Sequence, residues 1–214
     1  MPRLKITEIF YSLQGESRSV GWPTVFIRLT GCPLRCVYCD TTYAFKGGEW
    51  WSLEDILQEV SKYQVKHITV TGGEPLAQKD CLQLLEQLCE KGYEVSLETS
   101  GAMDVSGVDV RVSKVMDLKT PASEEEEKNL YSNVECLNAD DQVKFVISDR
   151  EDYEWSKQKI AEFSLLDRCE LLFSPTQGVL EAAELADWML KDQLLGVRFQ
   201  LQLHKYLWGN EPGR

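Results

Sequence analysis

No run of apolar residues in this 214-residue sequence approaches the roughly 20 that a membrane-spanning helix needs, so no membrane partner is expected. The opening segment, MPRLKITEIFY, lacks an apolar h-region and a small-residue cleavage site, so no secretory signal is expected and a cytoplasmic location follows by default. Positive charge is scarce. Lys and Arg number 23 against 35 Asp and Glu, a formal net charge of -12, which is the wrong sign for a protein that grips a phosphate backbone. No direct nucleic-acid partner is expected, and most of the surplus carboxylates read as a solubilising surface. Internal repeats are missing, and so is any linker long enough to separate a second domain. Residues 1–214 are therefore expected to form a single domain, large enough to bury its own core without disulfides. Seven cysteines, an odd number, do not read as a disulfide framework in a reducing compartment. A tight group of them points to metal binding or catalysis.

What is present is an alternation of strand and helix patterns. Lys5–Tyr11, Val25–Leu29, His67–Thr71, Val95–Glu98, Val110–Leu118, Gln142–Ile147, Glu170–Phe173 and Val197–Leu203 read as strands. Ser52 precedes LEDILQEVSKY with Asp55 three residues on, a capping-box pattern with Asp in the Glu position. Asp80–Lys91 carries leucines at helical spacing and stops at Gly92; Tyr153–Phe163 and Leu180–Leu190 also read as helices. This alternation favours parallel strands joined by crossover helices. The run Glu124–Glu127 reads as a solvated loop or helix start.

Three of the cysteines, Cys32, Cys36 and Cys39, fall in one loop, TGCPLRCVYCDTTYAF, over residues 30–45. A structural zinc site takes four ligands, commonly two separated pairs. Here there are three, and neither His67 nor His204 is an obvious fourth. Cys81, Cys89, Cys136 and Cys169 each stand alone and read as packing or incidental thiols. Three thiolates without a fourth protein ligand suit a cubane iron-sulfur cluster with one iron left open. Downstream, VTGGEP at the end of a predicted strand places Gly72 and Gly73, where backbone can approach a ligand closely, beside the carboxylate of Glu74.

The Cx3Cx2C spacing, with Tyr38 before its last cysteine, resembles the radical S-adenosylmethionine (SAM) superfamily, and the GGEP segment strengthens that likeness. The resemblance implies an α/β fold: a partial, shortened parallel (βα) barrel with its cluster at the carboxyl ends of the strands. It also implies one 4Fe-4S cluster on Cys32, Cys36 and Cys39, with SAM on the open iron. Within that superfamily, LQGE, FIRLTGC, CDT, TGGEP, ETSG, DLKTP, QVKFV, FSPT and LQLHKYLWG together resemble the 7-carboxy-7-deazaguanine synthase family over essentially the whole chain.

This second likeness implies conversion of 6-carboxy-5,6,7,8-tetrahydropterin to 7-carboxy-7-deazaguanine with loss of ammonia, a step of queuosine biosynthesis. SAM contacts are implied for Tyr38, Cys39, Asp40, Gly73 and Glu74, and for Asp117, Leu118, Lys119 and Ser174, Pro175, Thr176, Gln177. Substrate contacts are implied for Leu13, Gln14, Gly15, Glu16, Arg28, Thr71 and His204. Amide and carboxylate groups such as Gln14 and Glu16 can pair a guanine-like edge, and Arg28 can clamp a carboxylate. Thr41 matches a Mg2+ ligand, or alternatively is a loop hydroxyl bonded to backbone. Thr99 or Ser100 of ETSG either faces the same cavity or closes a turn, and Lys119 and Lys144 sit near strand ends where a carboxylated substrate is expected. A homodimer and a reducing partner such as flavodoxin or ferredoxin are implied by the family alone. The tail 204–214 is expected near the substrate site, with the NEPGR extension a departure that leaves Asn210 and Pro212 without an assigned role. Two rival readings are a glycyl-radical-type activating enzyme and a zinc-stabilised binding module.

Overall fold

The computed structural model describes residues 2–209 and 211–213; Asn210 lies outside them. Nine strands form one sheet: β1 (Arg3–Leu13), β2 (Pro23–Leu29), β3 (Glu49–Ser52), β4 (His67–Gly72), β5 (Glu94–Thr99), β6 (Ser113–Asp117), β7 (Gln142–Ile147), β8 (Glu170–Pro175) and β9 (Val197–Phe199). Their spatial order is β3-β1-β2-β4-β5-β6-β7-β8-β9. From β2 through β4 to β9 every neighbouring pair is parallel, while β1 pairs antiparallel with both β2 and β3. The two edges, β3 and β9, do not meet, so the sheet is the open, partial barrel expected, not a closed one.

Crossover helices cover the outer face. They are α1 (Leu53–Val60), α2 (Cys81–Glu90), α3 (Arg150–Glu162) and α4 (Ala182–Lys191). Leu53, Ile56 and Val60 of α1 and Leu84, Leu85 and Leu88 of α2 pack with Ile68, Val70 and Leu97 of the sheet in one core. Tyr153, Ile160, Leu185 and Met189 pack with Val143, Phe145 and Phe173 in a second. At the start of α1 the Ser52 hydroxyl accepts from the Asp55 N–H at 3.1 Å and donates to the Asp55 carboxylate at 2.6 Å. Asp, one methylene shorter than Glu, closes its half of the box on the hydroxyl. A cap of this kind contributes about 1 kcal/mol.

Several boundaries differ from the pattern-based ones. The helix after Ser52 ends at Val60, three residues before Tyr63. Residues 110–112 of the expected fifth strand form a turn, with Val110 largely exposed, and the last strand stops at Phe199 and gives way to a short helix α5 (Leu203–Trp208). EWWS, the edge strand β3, carries no alternation of its own; pairing with β1 makes it a strand. No α-helix crosses from β5 to β6 or from β6 to β7 among the described residues. Of the Glu124–Glu127 run, Glu126 accepts the Trp155 indole N–H at 2.8 Å and Glu125 accepts the Arg35 backbone N–H, so two of the four are tied in and the others face water. Cys81 is buried in the first core, and Cys89, Cys136 and Cys169 are unpaired thiols scattered over the chain.

Candidate functional site

The parallel strands expose a polar inner face. Ile68 and Val70, Val95 and Leu97, Val143 and Phe145 point to the helices, while the intervening Thr69 and Thr71, Ser96 and Glu98, Lys144 and Asp117 face inward. Strands covered by helices on both faces read as unbroken apolar runs. Here period-2 alternation instead marks one face reserved for a ligand. Gln14 donates to Thr69 at 3.0 Å, and Thr69 and Ser96 share a hydrogen bond at 2.8 Å, forming a polar ladder across the floor. Above it lies a cavity of about 470 Å³, within the roughly 300–1,000 Å³ of small-molecule sites.

At one side of the cavity is the loop that follows β2. Cys32, Cys36 and Cys39 all line the cavity, as do Tyr38, Asp40 and Thr41. The loop is fastened at both ends: Gly31 donates its N–H to Ala44 at 2.8 Å and accepts from the Glu74 N–H at 2.8 Å, and Val37 donates to the Ser123 carbonyl at 3.2 Å. Arg35 folds back over the Phe45 ring, 4.3 Å from its centroid, and donates to the Cys32 carbonyl at 2.8 Å. Burial pushes the Cys36 thiol up to about 11, against the nearby Lys119 ammonium, and raises Cys32 as well. Among the described residues no three His, Cys, Asp or Glu side chains are gathered tightly enough for a single metal ion. A cubane takes one thiolate at each of three iron corners, and the three cysteines that this loop brings to the cavity supply that number.

The GGEP segment closes against this loop. A Cβ on Gly73 would run into the Gly31 carbonyl and lie 2.8 Å from Cys32 Cβ, which is why the position has no side chain. Gly73 and Thr71 line the cavity; Glu74 does not, and it is fully buried. Its Oε1 accepts from the Leu76 N–H at 3.0 Å, and its Oε2 accepts from the Ser100 N–H at 2.7 Å and the Ser100 hydroxyl at 2.6 Å. Thr99 donates to both oxygens at 3.0 Å. The carboxylate therefore joins the end of β4 to the end of β5, and Thr99 and Ser100 are the groups it presents to the cavity.

Asp117, the last residue of β6, and Lys119 just beyond it line the cavity with a 3.0 Å ion pair between them, while Leu118 is buried in the second core. Burial alone lowers Lys119, but Asp117 and the adjacent Tyr38 more than offset it and its ammonium is held firmly charged. Among the described residues Asp117 Oδ1 is buried without a hydrogen-bond partner, an acceptor left available to a ligand. After β8, Thr176 and Gln177 line the cavity; Ser174 and Pro175 are buried behind it.

The opposite side is built by β1, β2 and the C-terminal segment. Leu13, Gln14, Gly15, Glu16, Arg28 and His204 all reach the cavity. Glu16 accepts from Lys144 Nζ at 2.6 Å and Gln202 Nε2 at 2.6 Å. Burial raises Glu16, yet the Lys144 ammonium reverses it and the carboxyl ends below its usual range. Glu98 accepts from Thr71 at 2.8 Å and Gln14 at 3.2 Å; burial, with the Glu16 charge nearby, holds it above the usual carboxylate range. Gly15 packs flat on His204, whose Nδ1 occupies the place of any Cβ there, and burial lowers His204. Gly209, Pro212 and Gly213 of the tail also wall the cavity.

Glu98, Gln202 and Lys205 are cavity residues that lie within ETSG and LQLHKYLWG but carry no expected role there, and Lys144, expected near a strand end, sits inside β7. For Glu98 and Lys144 a signal exists: each is a charged residue at the inward parity of a strand, with Val95 and Leu97 or Val143 and Phe145 forming the apolar parity. Gln202 and Lys205 carry no such signal, because β9 ends sooner than its apolar letters suggest.

Residues 26–163 match the family model of the Radical SAM superfamily. A relative from Chlorobaculum tepidum named 7-carboxy-7-deazaguanine synthase is 45% identical over 208 residues, covering 96% of this chain and 94% of its own. One of the same name from Koribacter versatilis is 41% identical, covering 97% and 98%. The crystal structure of QueE from Escherichia coli superposes with a TM-score of 0.80 at 24% identity, covering 94% of this chain and 95% of that one, which is a likeness of fold. A cluster loop, a GGEP turn and a polar sheet face thus meet in one cavity of a chain aligned with these relatives nearly end to end: it belongs to the 7-carboxy-7-deazaguanine synthase family of the radical SAM superfamily.

Proposed function

We propose that the chain converts 6-carboxy-5,6,7,8-tetrahydropterin to 7-carboxy-7-deazaguanine with release of ammonia, a step of queuosine biosynthesis. The observation that carries this reading is the sharing of one cavity by three cluster-type thiols and a wall combining Arg28 with the amide and carboxylates of Gln14, Glu16 and Glu98. A bound 4Fe-4S cluster and SAM supply the electron and the adenosyl radical that start the reaction.

The chain's own role is placement. Cys32, Cys36 and Cys39 hold the cluster. Tyr38, Asp40, Gly73, Thr176 and Gln177 face SAM, with the unpaired Asp117 Oδ1 accepting from it and Lys119 neutralising the Asp117 charge. Glu74 acts from behind, fixing Thr99 and Ser100. Leu13, Gln14, Gly15, Glu16, Thr71, Glu98 and His204 surround the pterin, whose ring N–H groups and amine are the donors that buried carboxylates and an amide oxygen satisfy. Arg28 meets the substrate carboxylate. Thr41, whose hydroxyl donates to Asp40 at 2.8 Å, is the residue that would hold a Mg2+ ion, which would supply a positive charge to orient the substrate carboxylate. Held between these walls, the substrate keeps one orientation and is shielded from water.

A homodimer, a flavodoxin or ferredoxin as reductant and a cytoplasmic location complete the reading; no helix of the described residues is long and apolar enough to cross a membrane. A glycyl-radical activase must admit a protein loop, whereas this cavity is of small-molecule size and walled by the C-terminal segment. Anaerobic incubation of the reconstituted protein with dithionite, SAM and the carboxypterin should yield the deazaguanine with one ammonia per product. Cleavage of SAM without that product would leave the superfamily standing and refute the substrate.

A further inference from the structure

We infer that Glu8 and Tyr43 are positioning residues that lock the Arg28 guanidinium in place, and that this lock gives the site its preference for a pterin bearing an acid group. The inference rests on the reading that Arg28 meets the substrate carboxylate.

The lock originates in a break of strand register. In β1, Leu4 and Ile6 point into the helix-side core, and unbroken alternation would send Glu8 and Phe10 the same way. A bulge between Ile6 and Glu8 intervenes: Ile6 pairs with Leu29, but Glu8 pairs with Arg28 and Phe10 with Phe26. One inserted residue flips every later side chain. Ile9 now packs on the core while Phe10 lines the cavity and Glu8 stands opposite Arg28.

Glu8 Oε1 accepts from Arg28 Nε at 2.8 Å and from the Tyr43 hydroxyl at 2.8 Å. The guanidinium carbon is 5.6 Å from the Phe10 ring centroid and 5.8 Å from that of Tyr43, and Phe10 is itself stacked on Phe26 at 4.8 Å. Among the described residues Nε is the only Arg28 side-chain nitrogen with a protein hydrogen bond, so the two terminal nitrogens remain as a fork. Because Glu8 balances the charge of Arg28, an anion gains little from net charge and must be drawn by the directed hydrogen bonds of that fork. Orientation by Glu8 and the two rings is then what makes the fork readable.

The test is equilibrium binding of the carboxypterin, and of the same pterin lacking the 6-carboxylate, to reconstituted protein holding SAM. It is paired with kcat and KM for the carboxylated substrate. Wild type should favour the acid. Glu8→Ala should lose about tenfold in affinity for the acid, roughly 1.4 kcal/mol, with the other pterin unchanged and the effect in KM and not kcat. Glu8→Gln keeps an oxygen that accepts from both Arg28 and Tyr43 and should restore most of the loss. Equal or tighter binding of the acid by Glu8→Ala, the result expected if bare charge governs, overturns the lock while leaving the assigned reaction intact. Failure of wild type to prefer the acid would instead strike the assigned reaction. Should Glu8→Ala not fold, Tyr43→Phe, which removes one hydroxyl and keeps its ring, decides: about a twofold to threefold loss confined to the acid supports the lock, and no change overturns it.

Discussion

Lys144→Met is the most informative single change away from the cluster. Lys144 Nζ lies 2.6 Å from Glu16 and 3.6 Å from Asp117, and the Lys144 and Glu16 side chains are 14% and 11% exposed. Removing one partner of a buried pair leaves the other charge uncompensated, at a cost of about 3–5 kcal/mol. Gln202 still donates to Glu16, and Lys119 still pairs with Asp117, which places the cost near the lower bound, about 3 kcal/mol. For a chain of this size that is a fall in Tm of about 6–12 °C. The pH dependence follows from the same pair. In the wild type Glu16 lies below its unfolded value, because Lys144 outweighs burial, so its contribution is present at neutral pH and is lost as pH falls through its folded pKa. Without Lys144, burial prevails and Glu16 rises above its unfolded value; the penalty then grows as pH climbs past about 4.3 and fades towards it. Anaerobic thermal unfolding of the reconstituted proteins should therefore show a wider gap between wild type and variant at pH 7 than at pH 5. Glu16→Gln combined with Lys144→Met should recover much of the loss, since no buried charge is stranded. A variant within about 1 kcal/mol of wild type, with the same gap at both pH values, would refute the reasoning.

Three other substitutions probe separate joints of the site. Gly73→Ala must displace the Gly31 carbonyl or Cys32, so iron and sulfide content after reconstitution should fall well below wild type. Gly15→Ala collides with His204, which should raise KM for the pterin while iron content stays at the wild-type level. Glu74→Gln cannot satisfy its surroundings in either flip state, because Oε1 and Oε2 each accept a backbone N–H, from Leu76 and Ser100, and an amide group must oppose one of them. The expected loss is about 1–3 kcal/mol in thermal or urea unfolding.

Much of this site is legible in the sequence because close-packed motifs carry it. The cysteine loop, GGEP and LQGE are each contiguous, and Cys32, Cys36, Cys39, Gly73, Gln14 and Glu16 reach the cavity where the strands before them end. The middle strands are equally readable: QVKFVI keeps Val143, Phe145 and Ile147 on one parity, and β7 spans Gln142–Ile147 as its letters suggest. What escapes depends on contacts distant in sequence. The β1 bulge is fixed only when β2 supplies Leu29 and Arg28 as the partners of Ile6 and Glu8. Gln202 acquires its role only when Gly15 accepts the Leu203 N–H at 2.9 Å and draws the C-terminal segment to the start of the chain. Glu74 shows the opposite case, a motif residue whose side chain serves the Thr99–Ser100 turn behind the cavity wall.

The central claim is that three thiols hold a cubane whose fourth iron is kept for SAM. Iron, sulfide and zinc analysis of anaerobically purified protein, with electron paramagnetic resonance of the reduced form before and after adding SAM, tests it directly. The expected result is about four irons per chain with matching sulfide and a reduced-cluster signal that shifts when SAM is added. Stoichiometric zinc without sulfide, or a cluster signal indifferent to SAM, would contradict it.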